Sequence, residues 1–326
     1  YQAFPAQQSI LAVRMAAKGI AGAPRSLEGK AGLFPLFFHG EYEPGALTEG
    51  LGKRFLAEEL GAYAAAGGRS LVDLTLDGIG RDLPRLARIS EATKLHIVGG
   101  AGWYRTAYYP PEARIDRRST DDLADEIVRE FDDGVIGPNG PVRPGIIGEI
   151  GTDKPWVTAQ EERVFRAAAR AARRTGAAVT THAAQSAVGL AQLAILEDEG
   201  LDPARVVIGH CDSWPRIEHW REIVRRGATV EADFLGMNFT PLERAGEPKV
   251  IDLIKTLLDE GFEKQITLSQ DVCHDSQLLS YGGNGYTYLQ TTFLPRLAAA
   301  GVDQATIDQI TIANPARILT LVPPNA

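Results

Sequence analysis

From residue 51 onward, apolar and polar positions change rhythm in a regular cycle. Short apolar runs bounded by Gly or Pro alternate with longer segments whose apolar residues recur every three or four positions. The first kind reads as buried strand and the second as amphipathic helix. Strands are predicted at 70–76, 95–99, 145–151, 177–181, 206–209, 228–234 and 266–270. Helices are predicted at 51–66, 83–93, 119–132, 187–199, 215–226, 250–259, 288–299 and 303–310, with another opened by Thr158-Ala159-Gln160-Glu161 and stopped by Gly176. The Thr158 tetrapeptide is a capping box, and Gly176 suits a helix C-terminus. The apolar side of that helix (Val164, Phe165, Ala168, Ala171, Ala172) is mostly small, which suits close packing on a sheet.

Strand and helix alternating at this rhythm imply a parallel sheet. Seven such units follow residue 69, and an eighth, first in order, falls at 33–38. Eight units predict an α/β fold of the (β/α)8 TIM-barrel type in a single domain. Residues 1–50 form an atypical N-terminal segment, which would hold the first β unit, and residues 51–326 form the barrel. Active sites of such barrels lie at the C-terminal ends of the strands.

Those ends carry the chemistry. Gly145-Ile146-Ile147-Gly148-Glu149-Ile150-Gly151 places one acid in an apolar strand, which is costly unless the acid is paired or bound to a cation. The 177–181 strand runs into His182, the 206–209 strand into His210 and the 266–270 strand into Asp271. Glu, His, His and Asp suit a borderline divalent ion such as Zn²⁺ or Mn²⁺. Such an ion lowers the pKa of bound water towards neutrality, and Asp271 would both bind metal and take the proton. The first unit ends in His39-Gly40-Glu41. His39 and Glu41 would share one side of a strand and reach the same cation; otherwise the segment is a surface loop and His39 is solvated.

Other residues carry blander readings. His96, inside a strand, reads as core or bottom face. His219, mid-helix, reads as surface, and Lys154 as a solvated loop charge. Cys211 follows His210 and points away from the strand ends. Trp103, Tyr104, Tyr108 and Tyr109 form an aromatic cluster in the βα loop after the 95–99 strand and Gly100-Ala101-Gly102, either lining a pocket or packing their loop. His274, beyond Asp271, is a pocket candidate. Tyr281-Gly282-Gly283-Asn284-Gly285-Tyr286 reads as a lid.

Composition narrows the partners. The formal charge is −8 and the pI near 5.4, which disfavours nucleic acid and anionic membrane. No apolar run reaches the roughly 20 residues that span a bilayer. The two cysteines make no disulfide framework, so cytoplasmic residence is the expectation. No signal peptide is evident, and Tyr1 is not an initiator residue.

At these residues the chain resembles the phosphotriesterase family of the amidohydrolase superfamily, with its lactonase-like and phosphotriesterase-related members. The matching stretches are Gly67-Gly68-Arg69-Ser70-Leu71-Val72-Asp73, Gly78-Ile79-Gly80-Arg81-Asp82, Ile147-Gly148-Glu149-Ile150-Gly151, Val179-Thr180-Thr181-His182, Ile208-Gly209-His210, Leu268-Ser269-Gln270-Asp271 and Asn314-Pro315-Ala316-Arg317. The resemblance spans roughly residues 54–321. It implies a (β/α)8 barrel with two divalent metal ions, Zn or alternatively Mn or Co, bridged by hydroxide. It also implies hydrolysis of a small-molecule lactone or related carboxylic ester, with promiscuous phosphotriester hydrolysis. Glu149 takes the bridging position that many members fill with a carboxylated lysine. His182 and His210 resemble ligands of the more exposed metal. Asp271 resembles a ligand of the more buried metal and the proton acceptor. Trp103, Tyr104 and His274 are the pocket candidates, Tyr104 resembling a pocket aromatic of the lactonase-like members. A homodimer is the candidate assembly. The family's His-x-His pair at the first strand has no counterpart here; His39-Gly40-Glu41 keeps its spacing. Residues 7–54 resemble instead a piece of the methylcitrate dehydratase-like family. That departure leaves a second reading, a non-catalytic ligand-binding barrel with an incomplete metal site.

Overall fold

A computed structural model describes residues 59–137, 139–237 and 246–324. The eighth β unit, with His39 and Glu41, and the boundary at residue 50 lie outside the described residues. Within them, seven parallel strands form one sheet: β1 (Ser70–Asp73), β2 (His96–Ala101), β5 (Ile146–Gly151), β6 (Val179–His182), β7 (Val206–Gly209), β8 (Thr229–Ala232) and β9 (Ile266–Leu268), adjacent in that order. These are the seven predicted units, each a little shorter or shifted at its ends. Two further strands, β3 (Val135–Gly137) and β4 (Gly140–Val142), make a separate antiparallel hairpin. No strand was predicted there, because Gly134, Gly137, Gly140 and Pro141 read as loop.

The helices follow local signals. A short α1 (Gly61–Ala65) precedes β1. Helix α2 (Leu83–Thr93) starts where Asp82 accepts the Arg85 N–H, and α3 (Thr120–Asp132) where Ser119 and Asp122 complete a capping box. Helix α4 (Ala159–Thr175) begins at the Thr158–Glu161 box and ends on Gly176, whose φ of 75° is left-handed. The predicted small-residue seam of α4 is buried in the main core. Helices α5 (Val188–Asp198), α6 (Ile217–Arg225) and α7 (Glu247–Asp259) complete the middle of the cycle. The predicted helices at 288–299 and 303–310 each break in two. π-Helical turns (Leu289–Phe293 and Gln309–Ala313) precede α8 (Leu294–Ala299) and α10 (Asn314–Leu319), with α9 (Gln304–Asp308) between them. Pro295 and Pro315 sit at the second position of α8 and α10, where a missing N–H spoils the regular ladder.

Of two histidine readings, one is narrowed and the other corrected. His96 is exposed at the N-terminal edge of β2, so it is a bottom-face residue and not core. His219 is 5% exposed, not a surface residue. It stands four positions before Ile223 on α6 and packs towards Gly189 of α5. Burial pushes its imidazole down to about 4, and Nδ1 has no hydrogen-bond partner among the described residues. The sign follows from proton uptake. Below an unfolded value near 6.5, the unfolded chain binds a proton that the native chain refuses until about pH 4. Stability therefore falls as pH drops through that window, by at most about 3 kcal/mol. Denaturant unfolding of His219→Gln across pH 4–7 is expected to show a flatter acid limb than the parent.

Candidate metal centre

Glu149, His182 and His210 converge at one end of the sheet. Each arrives by a different backbone route. Glu149 lies within β5, the acid that the apolar strand isolates. His182 closes β6, in register with Gly151 on one side and Gly209 on the other. A Cβ at Gly151 would lie 2.7 Å from that of His182, so only glycine lets the imidazole fold in there. His210 follows β7 with φ 56°, left-handed and unusual for a non-glycine residue.

The surroundings over-determine that conformation. Asp233, just beyond β8, accepts the His210 backbone N–H at Oδ2 (2.9 Å), and its Oδ1 lies 2.8 Å from ring Nδ1. The His210 carbonyl accepts from Ser213 Oγ (2.6 Å) and Ser213 N (2.9 Å). Phe234 stacks on the ring, with centroids 4.7 Å apart. With Nδ1 engaged, only Nε2 of His210 is left to face the cluster. That is how an imidazole ligand is oriented by a carboxylate behind it.

In front, Glu149 Oε1 lies 2.6 Å from His210 Nε2 and 2.8 Å from His182 Nδ1, and the two ring nitrogens are 2.7 Å apart. Tyr104 Oη is a further 3.0 Å from the same His182 Nδ1. One imidazole nitrogen either donates once or accepts once, so it cannot satisfy three neighbours. A cation resolves that conflict, because all three groups can offer it lone pairs. These donor atoms all lie within 4.8 Å of one another. One carboxylate oxygen and two imidazole nitrogens are a donor set suited to Zn²⁺ and similar ions.

The electrostatics agree. Burial alone would raise the Glu149 carboxyl, but His210 and His182 outweigh it and hold Glu149 ionised, below the usual carboxylate range. Burial would lower His210; Asp233 and Glu149 overcome it and raise the ring well above its ordinary value. Burial depresses His182, and His210 adds to the fall, which keeps its lone pair available.

Asp271 stands apart from the three-donor group, beyond β9, with φ 44°. It still senses the cluster: burial, together with Glu149 and Asp233, pushes it up to about 7 against the pull of His210. Gln277 fastens its turn, donating to the Asp271 carbonyl (2.8 Å) and accepting from Cys273 N and His274 N. His274 is half-buried three residues further on. Of the aromatics at 103–109, Tyr104 touches the cluster, at His182. Trp103 is 2% exposed and packed in the core, with Arg118 over its ring. Cys211 is buried, its Sγ on the Ile208 carbonyl.

Asp233 went unread in the sequence. The signal was present: Glu231 and Asp233 interrupt an apolar strand, as Glu149 does. Asp212 and Glu231 lie beside it, pushed up to about 7 and about 8 by burial and the Asp233 charge. Asp233→Asn is expected to lower divalent-metal affinity about 10–100-fold, as loss of a ligand's supporting carboxylate does elsewhere. Metal titration of the purified variant checks it, and unchanged affinity would show that Asp233 serves only the fold.

A family model for the phosphotriesterase family matches residues 46–319. The phosphotriesterase homology protein of Escherichia coli K12 is 35% identical over 264 residues, 81% of this chain and 87% of that protein. A crystal structure of the Escherichia coli phosphotriesterase homology protein, complexed with phosphate in its active site, superposes with a TM-score of 0.74 at 34% identity, covering 79% of this chain and 87% of that one. An N-acetyltaurine hydrolase from Tetraodon nigroviridis is 32% identical over 271 residues, 81% of this chain and 76% of that protein. The crystal structure of a lactonase from Listeria monocytogenes gives a TM-score of 0.71 at 28% identity, covering 82% and 89%.

Proposed function

The chain belongs to the phosphotriesterase family, and from that premise we propose that it hydrolyses small carboxylic acyl compounds at a divalent-metal centre built on Glu149, His182 and His210. Lactones and esters are the first substrates to expect, acyl amides the next, and phosphotriesters a side activity. The sheet is read as seven of the eight units of a (β/α)8 barrel. The observation that carries this reading is Glu149 Oε1, within hydrogen-bond distance of both ring nitrogens at the strand ends.

A metal ion held by these donors would supply Lewis-acid polarisation of the scissile carbonyl and activation of a water. The residues divide the remaining work. Asp233 fixes the His210 ring and presents Nε2. Glu149 contributes the anionic charge that a cation requires. Tyr104 stands against His182 at the edge of the site, where it can bear on the substrate. Asp271, held at about 7, has the proton affinity of a group that accepts and returns a proton near neutral pH.

Non-catalytic ligand binding is favoured by one observation, the lack of a His-x-His pair in the sequence. Turnover separates the two readings. Metal-loaded protein is assayed against γ- and δ-lactones, aryl esters, N-acetyl amino compounds and a phosphotriester. Hydrolysis of at least one carboxylic class, faster than the phosphotriester, is expected. Silence across the whole panel with Zn²⁺, Mn²⁺ and Co²⁺ would leave binding as the function.

A further inference from the structure

We infer that Gln192 of α5 is a positioning residue for the metal centre: its side-chain amide ties together the ends of β5 and β6 and so sets the spacing between Glu149 and His182. This rests on the metal-centre reading above and adds a residue that acts on the donors through the main chain.

Regular pairing does not set that spacing. β5 and β6 pair at Ile147 with Val179, and again at Ile150 with Thr181 and Gly151 with His182. Between those points β5 advances three residues while β6 advances two, so β5 bulges, and Glu149 lies in the bulged stretch. A bulge re-aims a side chain and interrupts the ladder of hydrogen bonds. Gly148 makes room for it: its φ is 109°, and a Cβ there would lie 2.2 Å from the Thr180 carbonyl oxygen. The acid is thereby turned towards the histidines, at the point where the two strands are least held together.

Gln192 bridges them just beyond the bulge. Its Nε2 donates to the His182 carbonyl (2.8 Å) and to Thr152 Oγ1 (3.1 Å). A carbonyl only accepts, so His182 fixes which end of the amide is the nitrogen. Each strand thus takes one N–H: His182 closes β6, and Thr152 directly follows β5. Gln192 is fully buried, and its α5 neighbours Val188, Leu193 and Leu196 lie in the main core. An apolar side chain of the same length would suit that environment. The amide instead leaves Oε1 without a hydrogen-bond partner among the described residues, a cost the apolar residue would avoid. What the amide adds is the bridge between the strand that carries Glu149 and the strand that carries His182.

Three variants test this. Gln192→Met keeps the length and removes both N–H donors, Thr152→Val removes one acceptor at constant shape, and Thr152→Ser keeps the hydroxyl. Zn²⁺ affinity is measured by chelator competition, the visible absorption of Co²⁺-loaded protein reports donor geometry, and denaturant unfolding of metal-free protein reports packing. Gln192→Met is expected to bind Zn²⁺ at least about tenfold more weakly, the scale of a lost supporting contact, and to shift the Co²⁺ bands. Thr152→Val is expected to move both readouts the same way by less, and Thr152→Ser to match the parent. A purely structural role would lower the unfolding midpoint of metal-free Gln192→Met and leave affinity and spectrum unchanged, which would overturn the proposal. If Gln192→Met does not fold, Thr152→Val decides: parental affinity and bands in that variant would overturn it too. A parent that binds neither Zn²⁺ nor Co²⁺ would sink the metal centre itself, and this proposal with it.

Discussion

Glu149→Gln is expected to abolish metal binding and hydrolysis together. The side chain keeps its size and loses its charge, so the outcome reports electrostatics and not packing. In the parent, one oxygen of Glu149 lies 2.6 Å from His210 Nε2 and 2.8 Å from His182 Nδ1. His182 and His210 hold that carboxylate ionised despite burial. An amide in its place offers a cation only a weak dipole and can turn its NH₂ towards the rings. Removing an anionic ligand exceeds the roughly 10–100-fold loss that follows from disturbing a ligand's support. Metal analysis after reconstitution and a substrate assay read the two effects side by side. Circular dichroism keeps them separate from misfolding. Retained metal in Glu149→Gln would remove the carboxylate from the centre.

Asp271→Asn is expected to behave differently: the ion at Glu149, His182 and His210 stays, and kcat falls by about 10²–10⁴, the usual worth of a placed general acid–base group. The separation follows from position. Asp271 is outside the three-donor group, yet Glu149 and Asp233 help burial push its carboxyl up to about 7. An asparagine keeps the shape, and the Gln277 hydrogen bond to the residue 271 carbonyl remains, but the proton acceptor is gone. A variant with full turnover would remove Asp271 from the chemistry. A variant that loses the ion would make Asp271 chiefly a ligand.

Much of this was legible where one residue dictates local structure. Asp82, Ser119 and Thr158 mark helix starts because a side-chain oxygen there answers a backbone N–H. The isolated acid in an apolar strand pointed to Glu149, and two histidines at successive strand ends pointed to His182 and His210. What stayed illegible depends on the third dimension. His219 sits at a helix position compatible with either solvent or a neighbour, and α5 supplies the neighbour. Trp103 and Tyr104 are adjacent in sequence, yet one turns into the core and the other towards His182. Asp233 interrupts an apolar strand as Glu149 does, but only the fold shows that it is the carboxylate behind the His210 ring. The hairpin at β3 and β4 is built from residues that locally favour turns.

The central claim is that hydrolysis depends on a divalent ion held by these three side chains. The direct measurement is stepwise addition of Zn²⁺, Mn²⁺ or Co²⁺ to chelator-treated protein, following bound metal and hydrolysis of the best carboxylic substrate in the same samples. The account predicts no turnover without metal, a rise that tracks occupancy, and neither signal in Glu149→Gln. Full turnover in chelator-treated protein, or equal metal uptake by parent and Glu149→Gln, would contradict it.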